Sequence, residues 1–153
     1  MLDRLEHKVP PPVWTLLAFI VMYLLARYLP MYSLAFNYQM LMALCVGGAG
    51  VLIDLYAVAL FIRAKTTVNP LKPSATQLVT SGMYQYSRNP MYLGMLLILA
   101  GLWLYLGKVS GLIVLPLFVM VINRLQIIPE ERRLHQIFEN DYQQYCQQVR
   151  RWL

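Results

Sequence analysis

The residues best equipped for chemistry fall into two groups held well apart along the chain. The first is the stretch Ser81-Gly82-Met83-Tyr84-Gln85-Tyr86-Ser87-Arg88-Asn89-Pro90-Met91-Tyr92-Leu93-Gly94, polar and aromatic, which runs straight into an apolar segment. The second is the acid pair Glu130-Glu131. A third, smaller feature is Asp54, set in an apolar run behind Gly47-Gly48-Ala49-Gly50. Polar and charged groups at the mouth of a membrane segment are costly to place unless something binds there. Other chemistries are absent. No Ser/His/Asp or Cys/His arrangement offers an activated nucleophile, and no glycine-rich phosphate loop follows a strand. His7 and His135 have no metal-ligand spacing with Cys45 or Cys146, so no metal is expected.

The remaining inventory is a cation for an anionic group, acids for hydroxyls or an amine, glycines for close approach and tyrosines for stacking. A zwitterionic, adenine-bearing sulfonium cofactor would use all of these. Arg88 would hold its amino-acid carboxylate, and Glu130 and Glu131 its polar groups. Tyr84 and Tyr92 would line the adenine or the path of methyl transfer. Asp54 or Glu131 would accept a proton if the acceptor is an amine or a thiol.

Composition says what kind of frame positions these groups. The chain has 153 residues, 59% of them hydrophobic and 13% charged, where a soluble domain carries roughly 25% charged residues. Its mean hydropathy is +0.51. The expectation is an all-α, polytopic membrane protein in a single domain, with about four transmembrane helices and a C-terminal amphipathic interfacial helix. The apolar runs are Val13–Leu29, Tyr38–Ile62, Met91–Leu106 and Val109–Ile128, against a need of ~17–25 residues per span. The first reads as an uncleaved anchor, because no small-x-small cleavage site follows it.

Along the second run, Gly47, Gly50, Asp54 and Ala57 share one helical face, a smooth groove lined by a carboxylate. A structural hydrogen bond from Asp54 to a neighbouring helix, or to Arg124, competes with a functional role. The segment from Arg63 to Pro90 holds Arg63, Lys65, Lys72 and Arg88 with no acid, and Asn69-Pro70 and Lys72-Pro73 break it. Basic loops stay cytoplasmic, and the uncharged Pro30–Asn37 connection faces the other side. That places both termini in the cytoplasm, in keeping with a bacterial inner membrane. Orientation accounts for the positive charge, so the lipid bilayer is the expected partner, with no nucleic acid and no obligate protein.

Gly107-Lys108 predicts a tight hairpin between the last two runs, with Pro116 a candidate kink. After Pro129, Leu134, Ile137, Phe138, Tyr142, Tyr145, Val149 and Trp152 recur at three-and-four spacing, which predicts an amphipathic helix. Its aromatic face and arginines, Arg150 and Arg151 included, suit the membrane surface. Arg124 stands two turns before Glu131 and near the level of Arg88, so Arg88 and Arg124 are the expected companions of the acid pair, although Arg124 by position snorkels to the interface.

Gly82-x-Tyr84, then Arg88-Asn89-Pro90-x-Tyr92-x-Gly94, then Glu130-Glu131 resembles the isoprenylcysteine carboxyl methyltransferase and phospholipid methyltransferase superfamily. The resemblance spans roughly Gly47 to Trp152, including Leu71-Lys72-Pro73 and the closing Tyr142-x-x-Tyr145-x-x-x-Val149-x-Arg151-Trp152. It implies a small integral-membrane enzyme using S-adenosyl-L-methionine, with residues 1–37 as an anchor and loop and 38–153 as the catalytic core. It implies that Gly48-Ala49-Gly50 matches a cofactor motif, that Glu130-Glu131 matches a cofactor-binding acid pair, and that Arg88, Asn89, Pro90, Tyr92 and Gly94 belong to the same site. The implied acceptor is lipophilic or small: a phospholipid amine, an isoprenylcysteine-like carboxylate or a thiol. Asn89 departs from the histidine of many relatives, and Phe138-Glu139 stands where they commonly carry Phe-Gly. A nicotinamide-dependent reductase of the sterol type and a non-catalytic scaffold are the alternatives; the acid pair and short chain weigh against the first.

Overall fold

The computed structural model describes residues 9–67 and 77–153. His7, Asn69-Pro70 and Leu71-Lys72-Pro73 lie outside the described residues. The described chain forms α1 (Pro11–Tyr28), α2 (Gln39–Arg63), α3 (Pro90–Leu106), α4 (Val114–Ile122) and α5 (Ile128–Gln148). Among the described residues there is no strand, only an isolated antiparallel bridge between Ser33 and Lys108.

Local sequence explains the boundaries. Pro11 and Pro90 open α1 and α3 at the first helical position, where the missing N–H leaves no bond unmade. Gly107 ends α3 in the left-handed region, φ 60°, a conformation glycine adopts without a Cβ penalty. Pro116 falls in the first turn of α4, after a 3₁₀ segment at Val109–Ile113. The expected kink is therefore unnecessary there, because a first-turn proline removes no intrahelical hydrogen bond.

The α2–α3 pair is the tightest seam. An added Cβ at Gly50 would lie 2.5 Å from the Gly94 carbonyl oxygen, and one at Gly101 would lie 2.7 Å from the Gly47 Cα. Small residues let the two backbones approach this closely. The glycine face predicted as an open groove is thus filled by α3. Asp54 sits in the same seam, where a Cβ at Gly94 would overlap its carboxylate.

By length and composition α1, α2 and the helical segment Val109–Gln148 suit a membrane crossing. At 17 residues, α3 spans about 26 Å at 1.5 Å per residue, against a hydrocarbon core of about 30 Å. Against the expected four transmembrane helices, the described residues give three candidate spans and one shorter apolar helix. The separate interfacial helix is also revised: α4 continues into α5 through a π-helical turn at Asn123–Ile127. The α5 aromatic face points inward as well, since Tyr142 and Tyr145 are buried with Ala57, Leu60, Val79, Tyr84 and Val149. Interior packing, rather than the lipid surface, takes up those rings.

A second cluster joins α1 to α3 and α4 through Met22, Met95, Leu99, Val114, Phe118 and Ile122. The first helix is consequently a member of the bundle as well as an apolar anchor. The two ends of the bundle differ. At one, Leu34 N–H donates to the Gly107 carbonyl at 2.8 Å and Lys108 Nζ to Ser33 Oγ at 2.5 Å. The other end gathers the 3₁₀ turn Gly82–Gln85, the start of α3, the π-helical turn and the C-terminal residues.

Candidate active site

Pro90 fixes where α3 begins, so Ser87, Arg88 and Asn89 lie in the approach to its N-terminus. Hydrogen bonds to the C-terminal segment hold that approach. Arg88 N–H donates to the Arg150 carbonyl at 3.0 Å, and Asn89 Nδ2 to the Arg151 carbonyl at 2.9 Å. Ser87 Oγ reaches the same carbonyl at 3.4 Å and accepts from Asn89 N–H at 3.1 Å. Asn89 therefore ties the tail to the helix start.

From this platform the Arg88 side chain reaches α5, with Nη2 3.0 Å from Glu131 Oε1. Arg151 approaches the same carboxylate as a fork, Nε to Oε1 at 3.1 Å and Nη2 to Oε2 at 2.6 Å. Such bidentate pairs are among the stronger charge-assisted bonds. Those Glu131 hydrogen bonds hold the Arg151 guanidinium above its ordinary pKa. Glu130 is engaged separately, accepting from the Tyr92 hydroxyl at 2.8 Å.

The expected second arginine is Arg124, and here the structure differs: Arg151 takes that place, while Arg124 is exposed. The π-helical turn supplies the reason. An extra residue in one turn rotates everything after it by about 100°, so a seven-residue spacing no longer stacks.

Arg88, Asn89, Tyr84, Tyr92, Glu130 and Glu131 all line one cavity of about 330 Å³, within the range of ~300–1,000 Å³ common for ligand sites. Its apolar lining includes Met91, Met95, Leu134 and Phe138. Tyr84 is fixed by an edge-on contact with Phe61 at 5.5 Å, and Tyr145 Oη donates to its carbonyl at 2.6 Å. Burial pushes the Tyr84 phenol up, so it stays neutral. Pro90 is buried at the helix start but does not line the cavity, and Gly48, Gly50, Gly94 and Asp54 do not line it either. Gly48 faces outward with nothing within 4 Å of an added Cβ.

One wall of the cavity lies outside the residues that the sequence singles out. Val9, Pro10, Pro11 and Pro12 line the cavity beside Gln126, which is 2% exposed and donates from Nε2 to the Val9 carbonyl at 2.8 Å. A polar residue inside the last apolar run was the available signal, because buried amides are hydrogen-bonded.

The donor set fits a ligand carrying an anionic group together with amine or hydroxyl groups. Arg88 Nε is buried without a hydrogen-bond partner, an unmet donor of a kind that is costly to leave unmade. Acceptors on Glu130 and Glu131 lie on the same cavity wall system, and tyrosine rings and apolar side chains supply contact area. The phospholipid methyltransferase family matches residues 38–141. The chain belongs to the phospholipid methyltransferase family. An uncharacterized protein of Haemophilus influenzae (strain Rd) is 44% identical over 63 residues, covering 41% of this chain and all of that protein. No solved structure matches the chain. The family region contains Arg88 and both glutamates, and leaves Val9–Pro12, Tyr142, Tyr145 and Arg151 outside it.

Proposed function

We propose that this membrane methyltransferase carries S-adenosyl-L-methionine in the Arg88–Glu130–Glu131 cavity and methylates a lipophilic or small acceptor. The observation that carries the reading is the cavity itself, where a buried guanidinium with an unmet Nε donor stands beside two carboxylates and tyrosine rings. The cofactor, when bound, supplies a methyl group already activated on a sulfonium. Arg88, which lines the cavity, would hold its carboxylate with the hydrogen-bonding capacity that the Glu131 bridge leaves. Glu130, steadied by Tyr92, would accept from an amine or hydroxyl. Tyr84, neutral and buried, would offer a ring face or edge. Glu131 is committed to two guanidinium groups and orients Arg88.

With the methyl group activated in advance, the protein's part is to align the acceptor and exclude water, and such positioning supplies up to ~7–11 kcal/mol. Met91, Met95, Leu134 and Phe138 keep that part of the cavity apolar, which favours a lipophilic acceptor. Asp54 lies in the α2–α3 seam away from the lining, and with Gly48, Gly50 and Gly94 it belongs to the frame in this reading. The end of the bundle that holds the cavity is read as cytoplasmic.

The test is purified protein with methyl-labelled cofactor and a total membrane lipid extract, with a parallel arm of soluble thiols and a trap for volatile product. Label appearing in a lipid or thiol product, and absent with Arg88→Ala, is the expected result. Transfer in neither arm contradicts the reading.

A further inference from the structure

The tail residue Arg151 lies outside the family-matched region, yet its guanidinium makes a two-bond fork on the cavity's Glu131. We infer that Arg151 is a positioning residue of the cofactor site, whose charge keeps Arg88 electropositive towards the cofactor's carboxylate. This rests on the function proposed above.

Glu131 sits between two guanidinium groups, Arg88 at 3.0 Å and Arg151 at 2.6 Å. Arg88 and Glu131 are nearly enclosed, their side chains 13% and 16% exposed, while Arg151 is 39% exposed. Arg88 and Glu131 alone make a neutral pair, and a neutral pair is a poor trap for an anion. Arg151 leaves the triad with one net positive charge. Its fork uses both carboxylate oxygens, so the Glu131 charge is shared instead of being spent wholly on Arg88. Arg88 lines the cavity, and its Nε is buried without a hydrogen-bond partner.

The backbone around Arg151 is fixed by the same residues that fix Arg88. Its carbonyl accepts from Asn89 Nδ2, and the preceding carbonyl accepts from Arg88 N–H. Trp152 Nε1 donates to Asn123 Oδ1 at 3.1 Å, anchoring the tail to the π-helical turn. A tail held only for stability needs these backbone and indole bonds and not the guanidinium. The side chain is the part that electrostatics explains.

The test measures binding of S-adenosylhomocysteine, the demethylated cofactor, to the detergent-solubilised full chain by calorimetry. It needs no acceptor. A unit charge roughly 8 Å from the ligand carboxylate, at an effective dielectric of about 40, is worth about fivefold in affinity. Arg151→Gln should therefore weaken binding about fivefold, and Arg151→Lys, which keeps the charge, should bind close to wild type. Arg151→Met, which removes the charge and keeps much of the aliphatic stem, should weaken binding to the same extent.

Affinity unchanged in Arg151→Gln overturns the inference, and so does an Arg151→Lys variant as weak as Arg151→Gln, which would mark the tail as merely structural. Should Arg151→Gln fail to fold, the methionine and lysine variants decide, and equal binding by those two overturns it. Wild-type protein that binds no S-adenosylhomocysteine overturns the proposed function as well, which separates the two failures.

Discussion

Replacing Gly50 and Gly48 by alanine, one at a time, sets packing against helix propensity within a single turn of α2. At Gly50 the new methyl would lie 2.5 Å from the Gly94 carbonyl oxygen and 2.9 Å from Ile98 N and Cγ1. Two of those three atoms are backbone, so α2 and α3 must separate rather than a side chain rotate. Overpacking of this kind costs ~1–3 kcal/mol. At Gly48 nothing lies within 4 Å of the added carbon. Both substitutions gain the helix-propensity difference between alanine and glycine, ~1 kcal/mol in water and common to the two sites. That term cancels in the comparison, so Gly50→Ala should be less stable than Gly48→Ala by ~1–3 kcal/mol. Reversible unfolding in mixed detergent micelles, titrated with sodium dodecyl sulfate, measures the difference. Equal stabilities, or a Gly48→Ala variant less stable than Gly50→Ala, would refute the assignment of Gly50 to the helix seam.

Two further outcomes follow from the site and its supports. Tyr92→Phe removes the hydroxyl that Glu130 accepts from and should cost ~0.5–1.5 kcal/mol of stability in the same micelle titration, the usual net range for a hydrogen bond; in a cycle with Glu130→Gln the two losses should be markedly non-additive, and simple additivity would deny the contact. Glu139 interrupts α5 at φ 38°, ψ −109°, a strained setting for a residue with a Cβ, so Glu139→Gly should raise the melting temperature, relief of ~1–3 kcal/mol outweighing the greater chain entropy of glycine. An unchanged or lowered melting temperature would show that no strain is stored there.

The sequence made the frame legible because membrane helices announce themselves by uninterrupted apolar runs, and Pro11 and Pro90 mark helix starts by their own geometry. The Arg88–Glu131 pairing was legible for a different reason, since charged groups at the ends of apolar runs need partners. Four things were not. Which glycines face α3 depends on the rotation of α2, and a run that is apolar on all sides carries no periodicity to fix it. Arg151, rather than Arg124, as the second arginine at Glu131 was hidden because nothing in Asn123-Arg124-Leu125-Gln126-Ile127 signals a π-helical turn, and that turn leaves Arg124 exposed. The tyrosines of α5 matched a surface helix by spacing alone, and spacing cannot distinguish lipid from protein as the apolar medium. Val9–Pro12 join the cavity wall through the packing of α1, whose Met22 is buried against the bundle, a tertiary contact that no local pattern encodes.

The central claim is that Arg88 anchors a cofactor carboxylate in this cavity. Calorimetric titration of S-adenosylhomocysteine into wild-type and Arg88→Ala protein in the same detergent tests it most directly. Loss of a charge-assisted bond worth ~1.5–3 kcal/mol should weaken binding about 10- to 100-fold in the variant. Saturable binding by the wild type with that loss is the predicted result; equal binding by both proteins, or none by the wild type, contradicts the account.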